Sequence, residues 1–215
     1  MSGPALGAFA LAAVLALCTW AGVLLGVRLL EYAGKPGTML GLAAGAVLLR
    51  PIAEPVHWLI VGGLLLGGLG DVLLMTARQV TNGGLSAFLA GHIAYILAFT
   101  AQRQFAPAVV AAALACLAVI VVFQRRLAEG LRESGREHLF RPILAYMVVI
   151  AAMTATACGT LNPLAAAGAI LFFGSDALFA WYQLIGPLRW GRPVNIVLYQ
   201  AGQGLIAVSL TLTST

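Results

Sequence analysis

Two aspartates occur in the sequence, Asp71 and Asp176, and each falls inside a long apolar run. In hydrocarbon an aspartate costs about 2.5–3.5 kcal/mol at a helix centre even on a lenient insertion scale, so such a residue is a functional candidate by default. Other polar side chains lie nearby in the pattern. His92 and Tyr95 are one helical turn apart, and Ser175 precedes Asp176. Asn195, Tyr199 and Gln203 recur every four residues, which puts them on one helix face. Asn195 sits nearest the expected membrane surface and suits interfacial capping.

These residue types limit the chemistry. A catalytic zinc wants three protein ligands, commonly several histidines. Only His92 lies at this depth, so neither a metal nor another cofactor is expected. Ser175 has no histidine base beside it, and no Gly-x-Ser-x-Gly occurs. Two carboxyls in a low-dielectric site suit acid–base work, one holding a proton while the other is ionised. That pair fits hydrolysis of an acid-labile bond such as a vinyl ether or acetal. It fits proton-coupled transport of a lipid or small molecule equally well.

The rest of the chain must carry this pair through lipid. Of 215 residues, 61% are hydrophobic and 9% charged, with a mean hydropathy of +0.99. A soluble domain carries about 25% charged residues. Lipid is therefore the expected solvent, and residues 1–215 form a single transmembrane domain. The net charge of +5 does not indicate a nucleic-acid partner, because no segment outside lipid is long enough to read bases. Cys18, Cys116 and Cys158 fall in apolar runs and read as small hydrophobes. The first apolar run has no basic region before it and is long enough to stay as an uncleaved span.

Apolar runs and polar breaks predict an all-α bundle of eight transmembrane helices. The spans are residues 5–28, 37–50, 56–77, 84–102, 106–124, 141–159, 163–185 and 193–212. The breaks include Gly34-Lys35-Pro36-Gly37, Arg50-Pro51, Thr81-Asn82-Gly83-Gly84 and the charged stretch 124–141. That stretch reads as a short solvated helix, and Glu31 as a solvated loop residue. Ten Lys and Arg fall in one set of loops and two, Arg50 and Arg103, in the other. The excess marks the cytoplasmic side and predicts that both termini face away from it. Gly37, Gly41 and Gly45, and Gly63 with Gly67, are spaced by four, which lets helices approach closely. Gly70-Asp71 and Ser175-Asp176 stand in corresponding places of the two halves, a pattern open to a parallel four-plus-four repeat. At about 1.5 Å per residue, both aspartates lie roughly 9–14 Å below the cytoplasmic surface. Polar groups from spans 3, 4, 7 and 8 thus meet in the inner leaflet.

The sequence resembles the YhhN family of membrane proteins, whose characterised members are lysoplasmalogenases. The resemblance rests on Lys35-Pro36, on Leu69-Gly70-Asp71-Val72-Leu73-Leu74-Met75 and on Phe88-Leu89-Ala90-Gly91-His92-Ile93-Ala94-Tyr95. Phe172-Phe173-Gly174-Ser175-Asp176 and Tyr199 with Gln203 complete it. It implies cleavage of the alkenyl ether of a lysophospholipid to a fatty aldehyde and a glycerophospho-alcohol. Asp71 and Asp176 would then be the catalytic pair. His92, Tyr95, Ser175, Tyr199 and Gln203 would support them, and Lys35 would bind the lipid phosphate. Eleven arginines against one lysine fit a GC-rich bacterium, so the expected home is a bacterial plasma membrane.

Overall fold

A computed structural model describes residues 1–49, 54–76 and 82–212. Among these residues the chain forms α-helices and short helical turns, with no strand. The helices are α1 (Gly3–Leu25), α2 (Arg28–Leu48), α3 (Glu54–Thr76), α4 (Asn82–Thr100), α5 (Ala106–Glu133), α6 (Phe140–Gly159), α7 (Pro163–Ala180) and α8 (Gly191–Ser209). A π-helical turn, Trp181–Ile185, extends α7. The Arg50-Pro51 break, Arg78 and Thr81 lie outside the described residues.

Among the described residues seven helices are long and apolar enough to cross a membrane, all but α2. Leu6, Leu11, Val14 and Leu17 of α1 and Val110, Leu114, Leu117 and Val122 of α5 are all exposed. Water would penalise such a surface, whereas lipid solvates it. Chain neighbours pack as helix pairs: α1 with α2, α3 with α4, α5 with α6 and α7 with α8. The pairs are joined through α2 on α3 and α8, and through α6 on α4 and α7. Met39, Ile60, Leu64, Phe99, Phe172, Met153 and Ile206 fill the centre.

Three expectations need correction. The break at Gly34-Lys35-Pro36-Gly37 does not exist, because α2 starts at Arg28 and runs through it. Packing on α1 holds this segment helical around the proline: a methyl added to Gly41 would come within 2.9 Å of Ala12 Cβ. Second, α5 continues without interruption to Glu133, so the charged stretch is largely an extension of the apolar helix. Leu127 and Leu131, fully buried, anchor that extension. Third, Glu31 is not solvated. It is 6% exposed and accepts from the Arg192 guanidinium on α8 at 2.5 Å. Removing a carboxylate from water is tolerated when a charged, hydrogen-bonding partner accompanies it.

Candidate functional site

Asp176 lies in the last turns of α7, and its two oxygens differ. Oδ2 accepts from the Tyr146 hydroxyl at 2.7 Å and lies 3.2 Å from His92 Nε2. Tyr146 and His92 are 3.3 Å apart, so three groups from α6, α4 and α7 close a triangle. Among the described residues Oδ1 has only the Ser175 hydroxyl nearby, at 3.4 Å. Ser175 gives its hydrogen to the closer Phe172 carbonyl at 2.8 Å and is fully buried. It has neither the access nor the free hydroxyl a nucleophile needs.

Asp71, on α3, is 2% exposed. Lys35 reaches down from α2 and sets Nζ 2.9 Å from Oδ1. Among the described residues Oδ2 is buried with no hydrogen bond in range, although the Tyr199 hydroxyl lies close enough to interact with the carboxyl. The same Nζ stands 5.7 Å from the centre of the Tyr199 ring, a distance at which the ring face attracts a cation. Beyond Tyr199, Tyr95 on α4 donates to Gln203 Oε1 on α8 at 2.5 Å. Asp71 therefore stands in a column of polar groups from α2, α8 and α4.

The two carboxyls share no hydrogen bond, but Asp176 lies within electrostatic range of Asp71. One aromatic wall serves both. The Phe172 ring meets the His92 ring edge-on at 4.7 Å and the Tyr199 ring at 5.3 Å. Phe172 is one turn before Asp176 on α7, so its burial fixes the height of that carboxyl. Helix α4 links the clusters directly: His92 and Tyr95, three residues apart, face one aspartate cluster each.

Close helix approach makes room for these side chains. A methyl on Gly67 would come within 2.7 Å of Gln203 Nε2 and 3.1 Å of the Tyr199 hydroxyl. A methyl on Gly63 would overlap the Tyr95 ring. The glycines that read as general packing signals thus seat site residues. Asn195 does not cap an interface alone. Its Nδ2 donates to the Ser175 carbonyl at 2.7 Å, tying α8 to α7 beside Asp176. Among the described residues, no three His, Cys, Asp or Glu side chains gather closely enough to hold a metal ion.

Residues 30–210 match the YhhN family. Proteins named lysoplasmalogenase from Mycobacterium bovis and Mycobacterium tuberculosis are each 32% identical over 197 residues, covering 83% of this chain and 72% of theirs. The chain belongs to the YhhN family. A mouse protein named lysoplasmalogenase TMEM86B is 26% identical over 152 residues, covering 71% of this chain and 63% of its own. No solved structure matches.

Within this YhhN chain the structure brings Asp71, Asp176, His92, Tyr95, Ser175, Tyr199 and Gln203 to one region, spread over two linked clusters. Lys35 is there too, as the ion-pair partner of Asp71 and not as a free surface cation. Tyr146 is the residue the sequence reading missed. Its signal is slight: a lone hydroxyl in Leu144-Ala145-Tyr146-Met147, a little way in from Arg141. Tyr146 belongs to span 6, which carries no aspartate, and a tyrosine there reads equally well as membrane-interface packing.

Proposed function

We propose that this protein is a lysoplasmalogenase-type hydrolase that cleaves the vinyl ether of a lysophospholipid by acid–base catalysis between Asp176 and Asp71. One observation carries the reading. Two carboxyls inside the helix bundle, Asp71 buried and Asp176 partly exposed, each have one oxygen held by a close partner and the other more loosely engaged among the described residues, in a chain whose relatives bear that enzyme name.

The surroundings support one division of roles. The Lys35 ammonium stands 2.9 Å from Asp71 Oδ1 and favours a negative partner. In this reading Asp71 acts as the carboxylate. Asp176 Oδ2 accepts from Tyr146 and lies 3.2 Å from His92 Nε2, and in this reading the less engaged Oδ1 carries the acid proton.

The reaction balances over these two groups. Asp176 gives its proton to the vinyl carbon beyond the ether-bearing carbon. The double-bond electrons form the new C–H bond, and an oxygen lone pair makes the oxocarbenium ion. Asp71 stabilises this cation and takes a proton from the water that adds to it. In the collapse, Asp71 returns that proton to the leaving glycerol oxygen as the C–O bond breaks. The hemiacetal hydroxyl gives its proton to Asp176. A fatty aldehyde and a glycerophospho-alcohol leave, and both aspartates are reset. Tyr146 and His92 hold Asp176, while Tyr199, Gln203 and Tyr95 shape the Asp71 side. The site faces the cytoplasmic leaflet of a bacterial plasma membrane, as the loop charges imply.

The test is purified protein incubated with lysoplasmenylethanolamine, with aldehyde followed. Wild type releases aldehyde, and Asp71→Asn and Asp176→Asn each lose at least about a hundredfold of the rate. No aldehyde from folded wild type, across pH and head groups, overturns the reading. A proton-coupled transporter would instead move lipid or protons in vesicles and release none.

A further inference from the structure

Resting on the hydrolase reading, the geometry points to Arg192, oriented by the buried Glu31, as the residue that binds the substrate's phosphate at the mouth of the site. Lys35, the cation the sequence offers for that task, is occupied by Asp71. Arg192 is placed differently. Its side chain is 55% exposed, while Glu31 beneath it is 8% exposed. Only Nη2 is used, donating to both Glu31 oxygens. Among the described residues Nε and Nη1 make no hydrogen bond, and each can donate a charge-assisted hydrogen bond to a phosphate oxygen. A carboxylate under the inner nitrogen stops the side chain from wandering, so less rotamer freedom is lost on binding.

Position links this cation to the reacting groups. Asn195, one turn along α8 from Arg192, donates to the Ser175 carbonyl at 2.7 Å, next to Asp176. The Tyr182 hydroxyl donates to Asn195 Oδ1 at 3.4 Å. Tyr182 also lies within electrostatic range of Arg192, Glu31 and Asp176 alike. These contacts connect an exposed guanidinium to the partly exposed carboxyl of Asp176 (19%). In a lysoplasmalogen, only the glycerol carbons separate the phosphate from the vinyl ether. A phosphate on Arg192 therefore hangs the ether inward, towards Asp176, and leaves the chain to the apolar helices.

The experiment uses binding first, so that it stands apart from catalysis. The protein in nanodiscs is titrated with 1-O-alkyl-glycerophosphoethanolamine, a saturated ether that vinyl-ether protonation cannot cleave, and with 1-O-alkylglycerol, which lacks the phosphate. Wild type is expected to prefer the phospholipid by about tenfold or more, in line with a charge-assisted pair. Arg192→Ala removes that preference, and Arg192→Lys, which keeps the charge without the fork, retains part of it. Glu31→Gln also weakens it, because the guanidinium loses its anchor. In parallel, the ratio of kcat/KM between alkenyl-glycerophosphoethanolamine and alkenylglycerol falls in the Arg192 variants. No preference in wild type, or full preference in both Arg192→Ala and Arg192→Lys, overturns the proposal. If inorganic phosphate binds Arg192 as tightly as the lipid does, the site takes the free anion and the head-group assignment falls. A clear preference in a wild-type protein that releases no aldehyde would leave the phosphate site standing and remove the hydrolase. Aldehyde release by a wild type that shows no preference would do the reverse.

Discussion

Lys35 Nζ stands 2.9 Å from Asp71 Oδ1, which commits the chain's one lysine to a carboxyl on the neighbouring helix. Removing one member of a buried pair leaves the other charged and alone, at a cost of about 3–5 kcal/mol. Lys35→Met is therefore expected to lower the stability of the purified protein substantially. Asp71→Asn should restore much of it when combined with Lys35→Met, since no lone charge remains. Activity should stay lost in the double variant. Thermal unfolding in detergent, read beside aldehyde release, checks both halves. Equal stability in the single and double variants would show that the pair is not coupled.

Tyr146→Phe keeps the ring that faces His92 at 5.4 Å and removes only the hydroxyl that donates to Asp176. A hydrogen bond to a neutral acid group is worth about 0.5–1.5 kcal/mol, or roughly two- to tenfold in rate. The variant should fold as wild type and lose activity in that range, mostly in kcat. A change confined to KM would place Tyr146 on the binding side instead.

How far the sequence discloses this site can be argued from these residues. Asp71 and Asp176 were legible because lipid makes an aspartate conspicuous. Tyr199 and Gln203 were legible because spacing by four places them on one face. Helix existence followed from apolar length, and the family from the order of short motifs. What stayed hidden depended on contacts between helices far apart in the chain. Nothing local says that Glu31 meets Arg192 across 161 residues, or that Tyr146 meets Asp176. The proline and glycines around Lys35 read as a break, and packing against α1 overrode that local signal.

Loop charge predicts that both termini face away from the cytoplasm. The prediction requires α2 to cross the membrane, although its first half carries Arg28, Glu31 and Lys35. Two of those three charges are paired within the bundle, which lowers the cost of insertion. A single cysteine placed at Ser2, in a background without Cys18, Cys116 and Cys158, should react with an impermeant maleimide in intact cells. A cysteine at Ser134 should react only after permeabilisation. The opposite labelling at Ser2 would mean that an odd number of helices crosses, with α2 held at the interface.

Gly67→Ala tests whether the site depends on close approach of α3 and α8. In a helix interior, alanine is favoured over glycine by about 1 kcal/mol, so a neutral position should gain stability. Here the added methyl would sit 2.7 Å from Gln203 Nε2 and 3.1 Å from the Tyr199 hydroxyl. Both side chains are buried, and Gln203 is held by Tyr95, so neither can swing away freely. The variant should lose stability by about 1–3 kcal/mol, the usual range for overpacking, and lose activity with it. Pairing Gly67→Ala with Gln203→Ala should relieve the crowding and recover stability. Recovery of stability without recovery of activity would mark Gln203 as part of the working site. Recovery of both would mark it as packing between α3 and α8.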